Sequence, residues 1–490
     1  MVSMKHDVKE QIGRSLIWSA ASTVTPPLVQ SLRTIILARF LAPADFGLMS
    51  MAMAIIMFLE IFQQGGLGQA VIQHRGRPED AANVSFWAQL AISSLIFSML
   101  WLGAPSISGI AKNPELINVL RVMSFALFSS PFVNIPASLM IRNLRFRGVF
   151  HRQVAPLLAS SLLSIILACL DYGVWSLVIG HLAGSYVSAL IFLFHWRPRF
   201  SISLPLIKDL FTFGGHIVVQ GMLLWASGIL FKFLIGTFQG TTILGYLNIA
   251  DNLALRPVLS ITASLAAVMF PAFSQLERDG QDLKAVYLVS LQRLTLIGIP
   301  LSATLFFLCP SLVHVLLGEK WLPAITPVRI LLIVAAMANI VGLNAEIYKA
   351  MGLPGIITKL MLFRTVIFVP LFFYTSRQNL IIFLWSYLLG AGSTHLLNVY
   401  VMLKVMAIPV KELLLRLKPA FLVTAGLSGL GMAGQFSIPM GVRQHAIGLL
   451  LQAGLACVFY VIFVRIFDRE SYSAAADFIR SIIVHRRESA

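Results

Sequence analysis

Charged side chains are scarce in this sequence, and their scarcity argues against a soluble protein. Asp, Glu, Lys and Arg make up 12% of the residues, whereas 58% are hydrophobic. A soluble domain carries about 25% charged residues. Apolar runs follow one another almost end to end, and a helix needs roughly 20 such residues to cross a bilayer. The composition therefore predicts an all-α integral membrane protein rather than a soluble protein with one anchor.

Cysteines and nucleotide-binding motifs are also lacking. The three cysteines, Cys169, Cys309 and Cys457, stand in separate apolar segments without the spacing of metal ligands, so we expect neither a disulfide framework nor a metal site. No GxxxxGKS or GxxxxGKT loop is present, and no Ser/His/Asp or Cys/His constellation emerges. We therefore expect that the chain is not an enzyme and uses no cofactor. Any energy must then come from an ion gradient or from consumption of a product.

Acidic residues are fewer than basic ones, 20 against 37, and the net charge is +17. Of the basic residues, 25 fall at the termini or in every second loop, 5 fall in or beside the other loops, and 7 fall inside apolar segments. This bias is the positive-inside pattern, and it places both termini in the cytoplasm. Anionic lipid and the insertion machinery account for the excess charge. The expected partner is therefore membrane lipid and not nucleic acid.

The apolar segments predict about 14 transmembrane helices joined by short loops, none long enough to form a soluble catalytic domain. Helix ends read from a sequence carry errors of several residues. The expected spans lie near residues 16–40, 46–72, 82–104, 116–140, 150–170, 173–195, 209–237, 242–272, 285–308, 324–348, 356–375, 379–403, 414–434 and 445–466.

Matches between distant segments predict that the chain repeats itself. Residues 46–52 resemble residues 244–250, an offset of 198. Because six is an even number, two six-helix halves cross the membrane in the same direction, which makes the repeat parallel. Three further matches follow the same order at drifting offsets: Arg33 with Lys232, residues 105–106 with 310–311, and Arg121 with Arg329.

The repeat predicts a division into three parts: a six-helix N-terminal lobe at 1–200, a six-helix C-terminal lobe at 201–405, and two additional helices with a cytoplasmic tail at 406–490. Two like-oriented halves are the plan of a transporter, in which one half rocks against the other and alternates access to a cavity between them. The alternative interpretation is a duplicated scaffold that transports nothing.

Four segments resemble those of a known family. Residues 37–47 resemble the "LARxLxPxDFG" segment that closes the first helix of bacterial polysaccharide exporters. Residues 235–250 resemble their "IG…LGYYxxA" segment, residues 270–272 their "FPA" ending of helix eight, and residues 316–324 their "LLGxxWxPA" loop. The chain thus resembles the Wzx-type oligosaccharide flippases of the polysaccharide transporter family. Their superfamily also holds multidrug exporters and the lipid II flippase.

The resemblance implies a substrate and a place of action. The substrate would be an undecaprenyl-pyrophosphate-linked oligosaccharide, moved from the inner to the outer leaflet of a bacterial inner membrane for exopolysaccharide or lipopolysaccharide synthesis. Further partners would be a polysaccharide polymerase and an export complex. The chain departs from the pattern at Phe231, where many relatives carry an acid. Lys232 is then either paired with a distant carboxylate or free for an anion.

A diphosphate cannot cross bare lipid, so it needs cations inside a water-accessible cavity, and Arg suits phosphate because its fork donates two parallel hydrogen bonds. Arg33 and Lys232 are the leading candidates, since both lie in the first helix of a half with no acid nearby in sequence. The alternative is that they snorkel to the interface. Arg256 and Arg293 complete the predicted substrate-binding set. We expect Arg121 and Arg329 to snorkel, and Arg364 has no repeat partner.

Three acids fall within expected spans: Glu60, Asp251 and Glu346. A buried carboxylate can change its protonation between states, which would couple transport to protons or sodium. Alternatively these acids neutralise neighbouring cations. Lys349 follows Glu346 by three residues, a spacing that permits a simple ion pair on one helix face.

Three other functions compete with the flippase. A drug/ion antiporter of the same superfamily commonly uses an acid in helix one, but residues 16–41 contain none. A polysaccharide polymerase, which is an enzyme, usually needs a substantial outer loop, and the loops here are short. The lipid II flippase shares the helix count and a cationic cavity, but the segments at 37–47 and 316–324 fit the polysaccharide branch better.

Overall fold

The computed structural model describes residues 25–27, 29–74, 77–142, 146–194, 196–201, 203–437 and 446–468. Within these ranges every regular element is helical, which confirms the all-α class. The helices are α1 at 29–40, α2 Pro43–Gln64, α3 Leu67–Gln73, α4 Pro78–Ala111, α5 Leu116–Met123, α6 Ala126–Arg142, α7 Phe146–Cys169, α8 Val174–Leu193, α9 Leu204–Gly228, α10 Leu230–Phe238, α11 Thr241–Ala250, α12 Arg256–Arg278, α13 Leu283–Leu312, α14 Ile325–Ile340, α15 Asn344–Ala350, α16 Pro354–Thr375, α17 Leu380–Val405, α18 Val410–Ser437 and α19 Ala446–Phe467.

Helices long and apolar enough to cross a membrane number 12 in the described part of the chain. They coincide with the second to fourth and the sixth to fourteenth expected spans. A shorter apolar helix, Val154–Cys169, lies where the fifth was expected. The first expected span is described only at 25–27 and 29–40. The protein is thus a multi-pass membrane protein, while the count of fourteen stays a prediction.

The described residues form two compact units. The first unit contains residues up to 252 together with 358–390, and the second contains 253–357 together with the residues from 391 onward. The lobes at 1–200 and 201–405 stay a prediction. The cytoplasmic tail expected within 406–490 falls at 469–490, outside the described residues.

Within the first unit, α2 and α11 cross at two glycines, where no side chain separates their backbones. A Cβ atom on Gly47 would overlap the carbonyl oxygen of Thr241, and one on Gly245 would overlap the carbonyl oxygen of Pro43. Each glycine therefore meets the first residue of the other helix. The contact is reciprocal, as in an interface with two-fold symmetry, and it joins the segments that match at an offset of 198.

Small residues also bring α7 and α8 together in the first unit. A Cβ atom on Gly180 would overlap the Ser164 hydroxyl, and one on Gly184 would come within 2.8 Å of the Ser160 Cβ atom. Membrane helices associate through such small residues because these let the backbones approach closely. The spacing of four residues on each helix places both serines on one face of α7.

Two consecutive spans are interrupted near their middles. The seventh span breaks between α9 and α10 at Ile229, whose ψ of −33° is combined with a φ of −125°. The eighth span contains a π-helical turn, Asp251–Leu255, between α11 and α12. Pro257 lies at the start of α12, so it interrupts the span as expected for a proline in a helix. π-Helical turns inside α-helices, like the one at Asp251–Leu255, are frequent at functional sites.

In the second unit, a buried polar network joins three spans. Tyr287 donates a 2.8 Å hydrogen bond to the side-chain oxygen of Asn344. Asn344 and Tyr348 in turn donate to the side-chain oxygen of Asn398, at 3.0 and 3.1 Å. Both tyrosines and Asn344 are almost fully buried. Since each of these groups has a partner, the network serves to fix the packing of the helices.

The two additional helices pack against α13 in the second unit. Val423, Leu427 and Val464 form a buried cluster with Leu296 of α13. Gln292 of α13 connects the two added helices, since it donates to Asp468 at 2.6 Å and accepts from Arg416 at 3.3 Å. The added helices are therefore an integral part of this unit.

Candidate functional site

Arg33 is held in the first unit by two neutral hydroxyls. Its Nη1 and Nη2 atoms donate hydrogen bonds of 3.0 Å to the Oγ atoms of Ser160 and Ser164 respectively. Both serines are buried, so the guanidinium is directed into the packing of α7 and α8. This arrangement favours a guanidinium that points into the protein over one that snorkels to the membrane interface.

The positive charge of Arg33 is not neutralised by any described carboxylate. A guanidinium has five N–H donors, and the two serine bonds use two of them. Within the described ranges the other donors have no hydrogen-bond partner. A fixed cation with unused donors in an apolar segment is suited to bind an anion.

Lys232 pairs with Asp251, which decides between the two alternatives left by the sequence. The Nζ atom lies 3.3 Å from Oδ2, and the side chains are 20% and 24% exposed. Lys232 stands in the first turn of α10 after the break at Ile229, and Asp251 begins the π-helical turn. The ion pair therefore connects the interruptions of two neighbouring spans.

Phe231 explains why the partner of Lys232 is distant. The Phe231 ring packs against Phe372, Phe383 and Tyr387, with its ring centroid 5.6–5.8 Å from theirs. These partners are buried. An aromatic cluster occupies this face of α10, so the counter-charge comes from Asp251, 19 residues further along the chain.

Arg256 and Arg293 belong to the second unit, and their side chains have no polar partner among its described residues. Arg256 is half-buried at the start of α12, and Arg293 is exposed on α13. Neither forms a hydrogen bond or an ion pair with another residue in the described ranges. Their expected role in substrate binding stays a prediction.

The three acids differ in their surroundings. Glu60 is half-buried on α2 and pairs with no described residue, whereas Asp251 pairs with Lys232. Glu346 accepts from Lys349 at 2.9 and 3.1 Å, the ion pair that the spacing permits. In the described ranges, no group of three His, Cys, Asp or Glu side chains is placed to hold a metal ion.

Arg121 and Arg329 have the same local geometry at matching positions of the repeat. In each, Nε donates a 3.3 Å hydrogen bond to the backbone carbonyl of an aromatic residue, Trp101 or Phe306. The guanidinium also covers the ring of that residue, at 5.5 and 5.0 Å from the centroid. These arginines are engaged in structural contacts, which snorkelling alone does not describe.

Arg364 is a half-buried cation that the predicted set omitted. Its Nη2 lies 3.5 Å from the Ser227 carbonyl oxygen, and its Cζ lies 5.2 Å from the Phe368 ring centroid. Its Nε is buried without a hydrogen-bond partner among the described residues. The position has no counterpart in the predicted repeat. Its place in the middle of an apolar run was the available signal.

Comparison with known proteins identifies relatives over most of the chain. A family model described as "Polysaccharide biosynthesis protein" matches residues 36–326. The lipopolysaccharide biosynthesis protein WzxC of Escherichia coli (strain K12) is 22% identical over 445 residues, 90% of this chain and 88% of the relative. The succinoglycan biosynthesis transport protein ExoT of Rhizobium meliloti (strain 1021) is 26% identical over 319 residues, 63% of each.

Solved structures show the same fold. The structure described as "Lipid II flippase MurJ, inward closed conformation" superposes with a TM-score of 0.75 and 15% identity, covering 93% of this chain and 99% of that one. An inward-facing multidrug resistance MATE family transporter superposes with a TM-score of 0.61 and 15% identity, covering 80% and 99%. With the family model matching more than half of the sequence, the chain belongs to the polysaccharide biosynthesis protein family and has the fold of these membrane transporters.

Proposed function

We propose that this protein is a flippase for undecaprenyl-pyrophosphate-linked oligosaccharide repeat units. It moves these repeat units from the inner to the outer leaflet of a bacterial inner membrane, where they are used for exopolysaccharide or lipopolysaccharide synthesis. Both termini of the protein lie in the cytoplasm. The observation that carries the proposal is Arg33, a guanidinium that Ser160 and Ser164 fix in place and that no carboxylate neutralises among the described residues. The names of the relatives, which concern polysaccharide biosynthesis and transport, support the same substrate class.

The chemistry of the substrate explains why Arg33 matters. A diphosphate loses its hydration when it enters a membrane, and it needs charged hydrogen bonds in return. The unused donors of Arg33 offer the planar fork that matches phosphate oxygens. The sugar would remain in a water-accessible cavity, and the lipid tail would remain in the bilayer at a lateral opening.

Lys232 supplies the second cation, and its ammonium group can exchange Asp251 for the diphosphate. Asp251 holds it in the structure described, and an incoming diphosphate would compete with this carboxylate for the ammonium group. Because both residues lie at helix interruptions, exchanging one partner for the other would change how the two spans are joined. Discontinuous helices surround the binding sites of many transporters, and alternating access follows from such a change.

One observation favours a second candidate, a drug/ion antiporter of the same superfamily. Glu60 is a half-buried acid within a span and pairs with no described residue, as a proton-coupling group would. The same acid also suits a proton-coupled flippase. The arginine in α1 distinguishes the two, because it would repel the cationic compounds that many drug exporters carry.

The test uses a strain that lacks the protein. Lipids of its inner membrane are extracted, and undecaprenyl-linked oligosaccharide is measured by mass spectrometry, with a leaflet-accessibility assay on sealed vesicles. We expect complete repeat units to accumulate on the cytoplasmic leaflet and surface polymer to be lost. Repeat units on the outer leaflet would instead assign the block to polymerisation. Altered drug tolerance without a lipid intermediate would favour the antiporter.

A further inference from the structure

Arg364 lies where only protein or ligand can compensate its charge. It is the eleventh residue of the 22-residue helix α16, so about 15 Å of helix separates it from either end. An arginine side chain is too short to reach the interface from there. A cation at this depth has to face the protein interior and find partners within it.

The partners of Arg364 in the described residues are few for its five N–H donors. The Ser227 carbonyl, which belongs to the last turn of α9, accepts from Nη2 at the long distance of 3.5 Å. The Phe368 ring lies under the guanidinium on the same helix. Nε is buried and unpaired. Buried donors in folded proteins are almost always paired, so this arrangement requires an explanation.

Arg121 and Arg329 show what a purely structural arginine of this protein looks like. Each also combines one carbonyl and one aromatic ring, but in each case Nε donates to the carbonyl at 3.3 Å. Arg364 differs from both because its Nε, the donor that completes a bidentate edge with Nη2, is left without a partner. The unpaired Nε, beside an Nη2 that is held only at 3.5 Å, points to an oxyanion with two acceptor oxygens.

The surroundings of Arg364 carry excess positive charge. The Tyr387 ring packs against Phe368, the ring under Arg364, and against Phe231, the residue next to Lys232, and Lys232 is paired with Asp251. Arg364 and Lys232 therefore stand beside one aromatic cluster, and Asp251 is paired with Lys232 alone among the described residues, which leaves the charge of Arg364 uncompensated there. They all belong to the first unit and lie beside the interruptions of the seventh and eighth spans.

We propose that Arg364 is an anion-binding residue that takes a phosphate group at mid-membrane depth, with Lys232 as its neighbour. The proposal rests on the proposed function and adds a residue to it. Two sources share this chemistry: the pyrophosphate of the lipid-linked oligosaccharide and the phosphate of a phospholipid headgroup. A phosphate there would fill the bidentate edge of Arg364 and neutralise the excess charge.

The experiment measures lipid binding to the purified full-length protein in detergent by native mass spectrometry. The ligands are undecaprenyl pyrophosphate, phosphatidylglycerol and, as the phosphate-free control, undecaprenol. The variants are Arg364→Gln and Arg364→Lys, with Arg329→Gln as the matched control. Size-exclusion chromatography selects folded protein for each variant, and the lysine variant retains the charge if the glutamine variant fails to fold.

We expect Arg364→Gln to weaken undecaprenyl pyrophosphate binding about 10- to 100-fold, the effect of losing hydrogen bonds to a charged group. Arg364→Lys should weaken it less, and Arg329→Gln should leave it unchanged. Equal loss of phosphatidylglycerol binding would support the phosphate site with a headgroup as its source. Unchanged binding in both Arg364 variants would overturn the inference while leaving the proposed function standing. A wild-type protein that binds neither phosphate lipid would overturn both.

Discussion

Asn248 donates a 2.6 Å hydrogen bond to Ser50, the residue that stands at the same position of the repeated segment 198 residues earlier. Each of the two helices also has a glycine that contacts the first residue of the other helix. Gly47 of α2 contacts Thr241, and Gly245 of α11 contacts Pro43. A residue that contacts its own counterpart lies on the local axis of symmetry. The two segments that match in sequence therefore pack against each other at this crossing, while the six-helix repeat stays a prediction.

Gly47→Ala and Gly245→Ala should each destabilise the protein. The added Cβ atom would overlap backbone, which cannot move aside as a flexible side chain can. Overpacking of this kind costs about 1–3 kcal/mol. The unfolding temperature in detergent, followed by size-exclusion chromatography after heating, should fall by several degrees. Gly103→Ala is the matched control, since nothing lies within 4 Å of its Cβ position, and an equal fall in that variant would contradict the explanation.

Much of the fold could be predicted from the sequence because bilayer physics leaves few options. Runs of about 20 apolar residues become spans in the absence of water, since the backbone must satisfy its own hydrogen bonds. The positions at which a span is interrupted could not be predicted in the same way. The break at Ile229 and the π-helical turn at Asp251 depend on packing between helices, and Pro257 was the local signal for only one of them.

The candidate site was predicted in part. Arg33 and Lys232 could be found because isolated cations in apolar segments are conspicuous, but their partners could not. Ser160 and Ser164 lie 127 and 131 residues from Arg33, and serine in a membrane helix carries no signal of its own. Arg364 was not in the predicted set, because its sequence position alone did not distinguish it from other cations in apolar segments. Its orphaned Nε became visible only with the surrounding side chains in place.

Arg33→Ala should abolish polymer export while the protein still reaches the membrane at its normal level. Arg33→Lys should also reduce export, because an ammonium group cannot form the bidentate hydrogen bonds of a guanidinium. The measurement is surface polymer yield at native expression, normalised to protein in the membrane. Arg121→Ala serves as the control, since that arginine is engaged by Trp101. Normal yield from a variant lacking both Arg33 and Lys232 would refute the cationic pair.

Lys232→Ala and Asp251→Asn should be non-additive in stability. Removing one partner leaves the other charge partly buried, whereas removing both leaves none. Because the pair is about one-fifth exposed, we expect a coupling of about 1 kcal/mol rather than the larger value of a fully buried pair. A double-mutant cycle of unfolding midpoints measures it. The cycle on Lys349 and Glu346, a pair in which the lysine is 44% exposed, should give a smaller coupling.

The two substitutions should differ in transport. Asp251→Asn leaves Lys232 available to the diphosphate, so we expect tighter binding of undecaprenyl pyrophosphate and slower release. Lys232→Ala removes the cation, so we expect weaker binding. Binding and single-turnover flipping are compared in proteoliposomes loaded with the lipid. Identical behaviour of the two variants would contradict the competition between Asp251 and the diphosphate.

Ser160→Ala combined with Ser164→Ala should impair export through Arg33 without disturbing the helix packing. The substitutions shorten side chains that face Gly180 and Gly184, so they create no clash, but they remove both acceptors of the guanidinium. Arg33 then loses its fixed orientation, and we expect a loss of flipping of roughly 100-fold or more, since two hydrogen bonds to a charged group are removed and each contributes about 1.5–3 kcal/mol. Ser161→Ala is the matched control on the same helix, because its hydroxyl donates to the Leu157 carbonyl instead.

Ser164→Thr, which restores a hydroxyl to the alanine background, should recover part of the activity if its methyl group fits beside Gly180. Equal loss in the Ser161 variant would mean that α7 tolerates no change, and it would remove the evidence that the two serines position Arg33.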